Sequence, residues 1–302
     1  MVYLENDKLK VTIQEKGAEL TSIVKKETQT EYLWNADPTY WKRHAPVLFP
    51  IVGAVKGDSY RYEGKEYKIE KHGFARDMEF TVVNADDIEV WLRLDATEET
   101  KKKFPFAFRL EIGYRLCDDQ VETIWKVSNQ DKKQMHFSIG GHPAFLCPLA
   151  NKGKQSDYYL RFNTEKDLQF SLIDPEGLVI SEDNILKNEN GYVPIAENMF
   201  DNDALIIEKN QAHQVSLCDP NKQPYLTVTF DAPLFGVWSP DKKHAPFVCI
   251  EPWYGRCDKK SFNGTLEERE YSNSLLPGEV FEKEIQCPHI LNMIYDSDPS
   301  CC

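Results

Sequence analysis

The sequence has no apolar run long enough to cross a lipid bilayer, and it does not begin with a cationic segment followed by a long apolar one. We therefore expect neither a transmembrane segment nor a signal peptide, and we expect a cytoplasmic protein. Basic residues are also fewer than acidic ones, so the 302 residues carry a formal net charge of −13. That acidic excess disfavours nucleic acid and anionic membrane surfaces as partners.

Several catalytic and cofactor motifs are missing as well. The chain contains no GxSxG nucleophile elbow, no Walker motif and no dinucleotide-binding fingerprint, which disfavours a serine hydrolase or a nucleotide-binding enzyme. Its eight cysteines include no CxxC pair and mostly occupy apolar, strand-like surroundings. We predict that they are reduced thiols and that a structural zinc site is absent.

Helical signals and β–α–β spacing are scarce, whereas apolar and polar residues alternate with a period of two along much of the chain. A turn signal at residues 117–120 predicts a hairpin, and residues 95–103 fit one short helix capped by Asp95 or Thr97. This pattern disfavours a parallel α/β sheet and predicts an all-β, antiparallel β-sandwich. The clearest strand candidates are residues 9–13, 90–94, 108–116, 121–127, 214–218, 225–230, 247–250 and 279–286.

No internal repeat and no linker rich in Gly, Ser or Pro divides the sequence. We therefore predict one domain over residues 1–287. Residues 288–302 follow the last clear strand, and we predict that they form a loosely attached C-terminal tail.

Glu251 lies in the apolar run of residues 247–255, which predicts a strand that ends in an aromatic turn. A carboxylate is costly to bury there unless another group uses or neutralises it. Two distant motifs contain candidate partners: HGFAR contains His72 and Arg76, and GGHPAF contains His142. Taken singly, each also fits a structural role: a surface loop for His72, an ion pair with the next aspartate for Arg76, and a hydrogen-bonded core position for His142.

Four further residues are candidates for ligand binding. Arg43 precedes a Pro-bounded apolar segment, where its planar fork suits hydroxyls or an anion, although it also fits a side chain extended from a strand end. Asp203 precedes an apolar strand and fits either hydroxyl binding or a turn. Trp238 and Trp253 offer faces for the C–H surface of a sugar, although tryptophans in β-sandwiches are more often core residues.

Taken in order, these segments resemble the aldose 1-epimerase (galactose mutarotase-like) superfamily. They are most similar to its bacterial aldose-epimerase-related branch, near the hexose-6-phosphate 1-epimerases. The resemblance implies a β-supersandwich with an open sugar-binding cleft, and interconversion of α and β anomers without a cofactor; we also expect no metal. The motifs that carry it are APVLFPIVG at 45–53, HGFAR at 72–76, GGHPAF at 140–145, DALI at 203–206 and IEPW at 250–253.

By that resemblance Glu251 is the general base and His142 the general acid of a ring-opening reaction. We expect an ionised Glu251 to take the proton of the C1 hydroxyl while a protonated His142 donates to the ring oxygen. His72 is expected to hydrogen-bond near the ring oxygen. A nearby imidazolium or arginine would keep the carboxylate ionic in its apolar strand.

The expected partner is a small sugar or sugar phosphate, bound by a monomer or homodimer. Arg43 and Arg76 are expected to hold hydroxyls or a 6-phosphate, and Asp203 to bind hydroxyls on the far side of the ring. Two other functions stay open: a non-catalytic carbohydrate-binding protein on the same fold, and a glycoside-processing enzyme that uses Glu251 with Asp203. A scaffold without a ligand is a third, favoured if the two histidines and the glutamate lie on separate faces.

Overall fold

A computed structural model of the chain describes residues 1–240 and 242–290, without the side chains of residues 181–182 and 287–290. From the N terminus its strands are β1 (Val2–Glu5), β2 (Leu9–Gln14), β3 (Glu19–Lys25), β4 (Thr30–Glu31), β5 (Val47–Leu48), β6 (Ser59–Tyr62), β7 (Lys65–Lys68), β8 (Thr81–Ala85) and β9 (Glu89–Asp95). They continue with β10 (Phe108–Cys117), β11 (Gln120–Asn129), β12 (Met135–Phe137), β13 (Ile139–Gly141), β14 (Ala144–Leu146), β15 (Tyr159–Phe162), β16 (Leu168–Ile173) and β17 (Val179–Leu186). The last are β18 (Tyr192–Pro194), β19 (Leu205–Ile207), β20 (Gln214–Cys218), β21 (Pro224–Phe230), β22 (Leu234–Trp238), β23 (Phe247–Tyr254), β24 (Asn273–Leu275) and β25 (Val280–Ile290).

Helix is scarce in this part of the chain, and no helix in it is long and apolar enough to cross a membrane. The described residues contain one α-helix, α1 (Glu98–Lys103), which begins after Thr97. The Thr97 hydroxyl accepts a hydrogen bond from the backbone N–H of Thr100 at 3.2 Å, which satisfies one of the free donors of the first turn. The 3₁₀ segments are Lys56–Asp58, Ala75–Asp77, Leu149–Asn151, Gln155–Asp157 and Leu266–Glu268.

Two large antiparallel sheets form the two layers of the fold. One has nine strands in the order β18-β15-β20-β21-β25-β11-β10-β9-β8, and the other has the order β17-β16-β19-β22-β23-β13-β5, with β14 also paired to β23. A single hydrophobic cluster contains Leu110 and Val127 from the first sheet and Phe235 and Ile250 from the second, so the sheets pack face to face. The predicted antiparallel β-sandwich is confirmed. Smaller sheets comprise β1-β2-β3-β4, β6-β7 and β12-β24.

The predicted hairpin is present as β10 and β11, which pair from Phe108↔Asn129 to Cys117↔Gln120 around a two-residue turn. The last strand was predicted to end at residue 286, but β25 continues to Ile290. The remainder of the predicted tail, from residue 291 to Cys302, lies outside the described residues. Five cysteines in the described part are free thiols: Cys117, Cys147, Cys218, Cys249 and Cys257.

The position of Glu251 differs from the prediction, because β23 does not stop before it. The strand runs on through Pro252 to Tyr254, which puts Glu251 inside a strand near the centre of its sheet. On one side β23 pairs with β22, where Gly236 lies opposite Glu251. On the other side it pairs with two short strands, β13 and β14, that are joined by His142 and Pro143.

The loop that contains His72 packs against residues 49–50. His72 and Gly73 both have positive φ, at 69° and 68°, and Phe74 donates its backbone N–H to the Phe49 carbonyl at 3.0 Å. A Cβ atom on Gly73 would lie 2.3 Å from the Phe49 carbonyl oxygen. Only glycine fits at this contact, because it combines a left-handed backbone with a close approach to another chain segment.

We predict that Gly73→Ala destabilises the fold far more than Gly64→Ala. Gly64 also has a positive φ, 75°, but nothing lies within 4 Å of its Cβ position. Gly64→Ala therefore measures backbone strain alone, at about 1 kcal/mol. Gly73→Ala adds an unrelieved clash and should cost at least about 3 kcal/mol in urea unfolding. Equal losses in the two variants would show that the Gly73 loop yields freely.

Candidate active site

One cavity of about 230 Å³ opens between the HGFAR loop and the sheet that contains β23. Seven of the eight predicted site residues line it; the eighth, Arg43, is not among the lining residues of the described chain. The lining side chains that were not predicted include Trp41 and Lys71. The predicted residues on the cavity wall are His72, Arg76, His142, Asp203, Trp238, Glu251 and Trp253.

The strand register sets His142 opposite Glu251. Gly140 pairs with Trp253, and Ala144 pairs with Cys249, in one register. His142 lies midway between the first residues of these two pairs, and Glu251 lies midway between the second, so the same register sets them opposite each other. His142 Nε2 lies 3.3 Å from Glu251 Oε2, and the Glu251 side chain is only 1% exposed. Directly opposed residues on one face of a sheet are the closest cross-strand neighbours, so the fold itself brings the pair together.

Three buried polar atoms in the opposed pair and in the neighbouring indole have no hydrogen-bond partner among the described residues: Glu251 Oε2, His142 Nδ1 and Trp253 Nε1. Buried polar groups are nearly always satisfied in folded proteins, so unsatisfied ones need an explanation. Two of the three belong to the opposed pair, and both of those residues face the cavity. A ligand with several hydroxyl groups would satisfy them.

Trp253 forms part of the cavity wall and is also a core residue. It is 5% exposed and belongs to a small apolar cluster with Leu48 and Ile206. Its ring lies between two glycines, since a Cβ on Gly140 would be 2.6 Å and one on Gly236 2.8 Å from ring atoms. The two glycines therefore leave room for the indole beneath the site.

Tryptophan rings surround the His142 imidazole. Trp41 is stacked on it with ring centroids 4.7 Å apart and an interplanar angle of 27°. Trp238 meets it edge-on at 5.3 Å and 85°. The sequence showed Trp41 only as a neighbour of Arg43, and no periodicity indicated that it would reach a histidine about a hundred residues further along the chain.

His72 is buried beside His142, with the two ring centroids 5.7 Å apart. Its Nδ1 accepts a hydrogen bond from the Gly53 backbone N–H at 3.2 Å, which places the imidazole proton on Nε2. Burial lowers the pKa of His72 well below its usual value, and the positive charge of the nearby Arg76 adds to the effect. His72 is thus a neutral imidazole with one N–H to donate.

The cationic side chains near the cavity differ in how they are engaged. Arg43 donates to both carboxylate oxygens of Asp77, at 3.0 and 3.2 Å. Arg76 donates to the Lys71 carbonyl at 2.7 Å, and its Nε also lies 3.8 Å from Asp77 Oδ2, which is the ion pair given above as its alternative role. Burial and the nearby Arg43 lower the pKa of Arg76 to about 10. Lys71 Nζ stands 3.9 Å from Asp203 Oδ2 at the mouth of the site.

The protonation of the central pair differs from the expected starting state. Burial raises the pKa of Glu251 well above its usual value, and the charge of Asp203 adds to the rise. Burial also lowers the pKa of His142 to about 3. Both shifts favour the neutral forms, which differ from the expected starting state of an ionised Glu251 facing a protonated His142. In a neutral pair the carboxyl group carries the one proton that can be transferred.

Cys249 lies close to the same pair. One ligand atom each from His142, Cys249 and Glu251 lie within 4.8 Å of one another, a grouping that in principle suits a metal ion. Burial raises the pKa of the Cys249 thiol well above its usual value, and Lys71 and Arg76 on the cavity wall repel a cation. The expectation of an acid–base site without a metal stays a prediction.

The fold and the site together define a galactose mutarotase-like protein: a β-sandwich with a buried glutamate, two histidines and aromatic faces around one cavity. The chain belongs to the aldose 1-epimerase family, whose model matches residues 1–287. The family resemblance noted from the motifs is therefore confirmed.

Similar proteins match along nearly the whole chain. Protein LacX, encoded on a plasmid of Lactococcus lactis subsp. lactis, is 32% identical over 292 residues, which are 93% of this chain and 97% of LacX. The solved galactose mutarotase related enzyme from Lactobacillus acidophilus has 34% identity and a TM-score of 0.89, covering 95% of this chain and 97% of that chain. A galactose mutarotase-like protein from Lactobacillus casei ATCC 334 has 33% identity and a TM-score of 0.88, covering 96% and 100%.

We predict that Glu251→Gln makes the fold more stable at alkaline pH. The folded chain keeps the Glu251 proton at pH values where the unfolded chain has lost it, so the free energy of unfolding falls as pH rises from 4.5 through the raised pKa. Glutamine has no proton to lose and avoids this cost. Urea unfolding should show a larger advantage of the variant at about pH 9 than at about pH 4. The same difference at both values would contradict a raised pKa.

Proposed function

We propose that the protein is a cofactor-independent aldose 1-epimerase, which interconverts the α and β anomers of an aldohexose or a hexose phosphate. The observation that carries the proposal is the 3.3 Å approach of His142 Nε2 to the unsatisfied Glu251 Oε2 on the wall of a cavity. Anomer interconversion needs one group to accept a proton and a second to donate one. This pair holds a single proton between two such groups.

The proposed reaction starts with the proton of Glu251 passing to His142 across the short gap between them. The Glu251 carboxylate then takes the proton of the C1 hydroxyl, while His142 donates its proton to the ring oxygen. The bond between C1 and the ring oxygen breaks, and C1 and its oxygen form the aldehyde carbonyl. After rotation about C1–C2 the ring closes on the other face of C1, and both protons return.

A neutral starting pair suits this site because it limits the cost of burial. Two separated charges in an apolar strand pair would each be desolvated, whereas one shared proton leaves both groups uncharged. The ionic form, with a Glu251 carboxylate and a protonated His142, becomes favourable when hydrogen-bond donors or positive charges approach the carboxylate. The positive charge of Lys71 already lowers the pKa of Glu251, and sugar hydroxyls would add hydrogen bonds.

The remaining wall residues suit a polyhydroxylated ring. His72 presents one N–H, Asp203 accepts hydrogen bonds, and Arg76 and Lys71 donate them. Trp238, which is half-buried, offers a face for the C–H surface of the sugar. Arg43 does not line the cavity but is hydrogen-bonded to Asp77. We therefore propose that Arg43 acts on the sugar indirectly.

We predict that Glu251→Gln and His142→Asn each lower catalysed mutarotation by about 100-fold or more, because each removes one proton-transfer partner. Polarimetry on freshly dissolved α-glucose, α-galactose and their 6-phosphates measures the rate above the spontaneous reaction. Ile250→Val is the matched control. Ile250 lies on the same strand and is fully buried, but it is not among the residues that line the cavity.

The control variant should keep its activity to within about threefold. A wild-type protein that binds sugars without accelerating mutarotation would contradict the proposal and favour a carbohydrate-binding role. Release of reducing sugar from an aryl glycoside, lost in Asp203→Asn, would favour a glycoside-processing enzyme instead.

We predict a pH profile of kcat/KM that is flat across the ordinary carboxyl and imidazole range. The active pair holds one proton, so activity falls on the acid side only when His142 takes up a second one, near its pKa of about 3. On the alkaline side it falls when Glu251 loses its proton, above its usual pKa. An ionised glutamate facing a protonated histidine of ordinary pKa values would instead give limbs near 4.5 and 6.5.

A further inference from the structure

The orientation of His142 is not secured by the usual hydrogen bond. An active-site imidazole is commonly fixed through its second nitrogen, which donates to a carbonyl or carboxylate. Here that nitrogen is Nδ1, which is buried and has no hydrogen-bond partner among the described residues. The ring must nevertheless keep Nε2 directed at Glu251, because a displaced proton donor loses much of its effect.

Trp41 supplies the most extensive ring contact to this imidazole. The two rings are nearly parallel with centroids 4.7 Å apart, while Trp238 closes the other side edge-on. Flat contact with one ring and an edge contact with another restrict rotation of the imidazole out of its plane. The aromatic rings thus supply the restraint that a hydrogen bond at Nδ1 would otherwise give.

Trp41 is itself held in place by the chain around it. Its carbonyl accepts a hydrogen bond from the indole N–H of Trp34 at 2.8 Å, and its backbone N–H donates to Asp37 at 3.0 Å. Its ring also contacts Trp238 edge-on, with centroids 5.6 Å apart. The backbone of Trp41 is thus anchored by hydrogen bonds and its ring is held by Trp238, so the ring can define the position of its neighbour.

The stacking of Trp41 on His142 also affects the charged form of the imidazole. In the proposed reaction His142 becomes an imidazolium, and the cationic side chains around it disfavour that state. The face of an indole ring carries partial negative charge and attracts cations, most strongly where water is excluded. The Trp41 face therefore favours the charged form that must donate to the ring oxygen.

We propose that Trp41 is a positioning residue of this active site: its ring face holds the His142 imidazole toward Glu251 and stabilises the imidazolium. This rests on the proposed role of His142 as proton donor. Trp41 acts through His142, in contrast to a tryptophan that stacks on the sugar and contributes to sugar affinity.

The test compares Trp41→Phe, which keeps an aromatic face, with Trp41→Leu, which keeps only apolar volume. Trp41→Leu should lower kcat about 10- to 100-fold while KM changes by less than about threefold, and Trp41→Phe should restore most of the loss. Trp91→Phe, in β9 of the other large sheet, is the control for losing an indole and should match the wild type. A change confined to KM, or equal losses in the leucine and phenylalanine variants, would overturn the proposal.

A crystal structure of Trp41→Leu separates this proposal from the proposed function. The imidazole should rotate, so that Nε2 leaves hydrogen-bond range of Glu251 Oε2, while β13, β14 and β23 keep their register. This result does not depend on which sugar is the substrate or on whether mutarotation is measurable. An imidazole that keeps its wild-type orientation without the indole would overturn the positioning role even in an active enzyme.

Discussion

The site depends on one cross-strand relation, in which His142 lies directly opposite Glu251. β13 and β14 pair with β23 in a single register, and the two-residue link between them places the histidine opposite the glutamate. Gly236, which pairs with Glu251 on the other neighbouring strand, leaves room for the Trp253 indole. The opposition of His142 and Glu251 therefore depends on the pairing of these strands.

Burial gives this pair its character. An isolated carboxylate and an isolated imidazolium are both expensive in an apolar strand pair, yet together they can exist as a neutral couple with one proton. The aromatic rings beside His142 can face a neutral or a cationic imidazole. In the proposed reaction the fold therefore keeps a proton-transfer pair without separated charge in the resting state.

Much of the fold follows from local patterns, whereas the details of the site do not. Alternating residues and the Cys117–Gln120 turn predicted the hairpin correctly because each depends on neighbours in sequence. The end of β23 was misplaced because Pro252 resembles a strand terminator. The pairing of Arg43 with Asp77 spans 34 positions, and the stacking of Trp41 on His142 spans more, so no spacing rule indicates either. The motifs identified which residues matter, but packing decides which of them touch.

Because β13 and β14 share one register with β23, the number of residues between β13 and β14 determines whether His142 faces Glu251. Successive residues in a strand point to opposite faces, so a single insertion or deletion in the link would turn the histidine away from the carboxylate or detach one of the flanking strands. Substitutions around the cavity can alter its shape and charge while the pair persists. Homologous sequences should therefore vary freely in the composition of this wall, but hardly at all in the number of residues across the link.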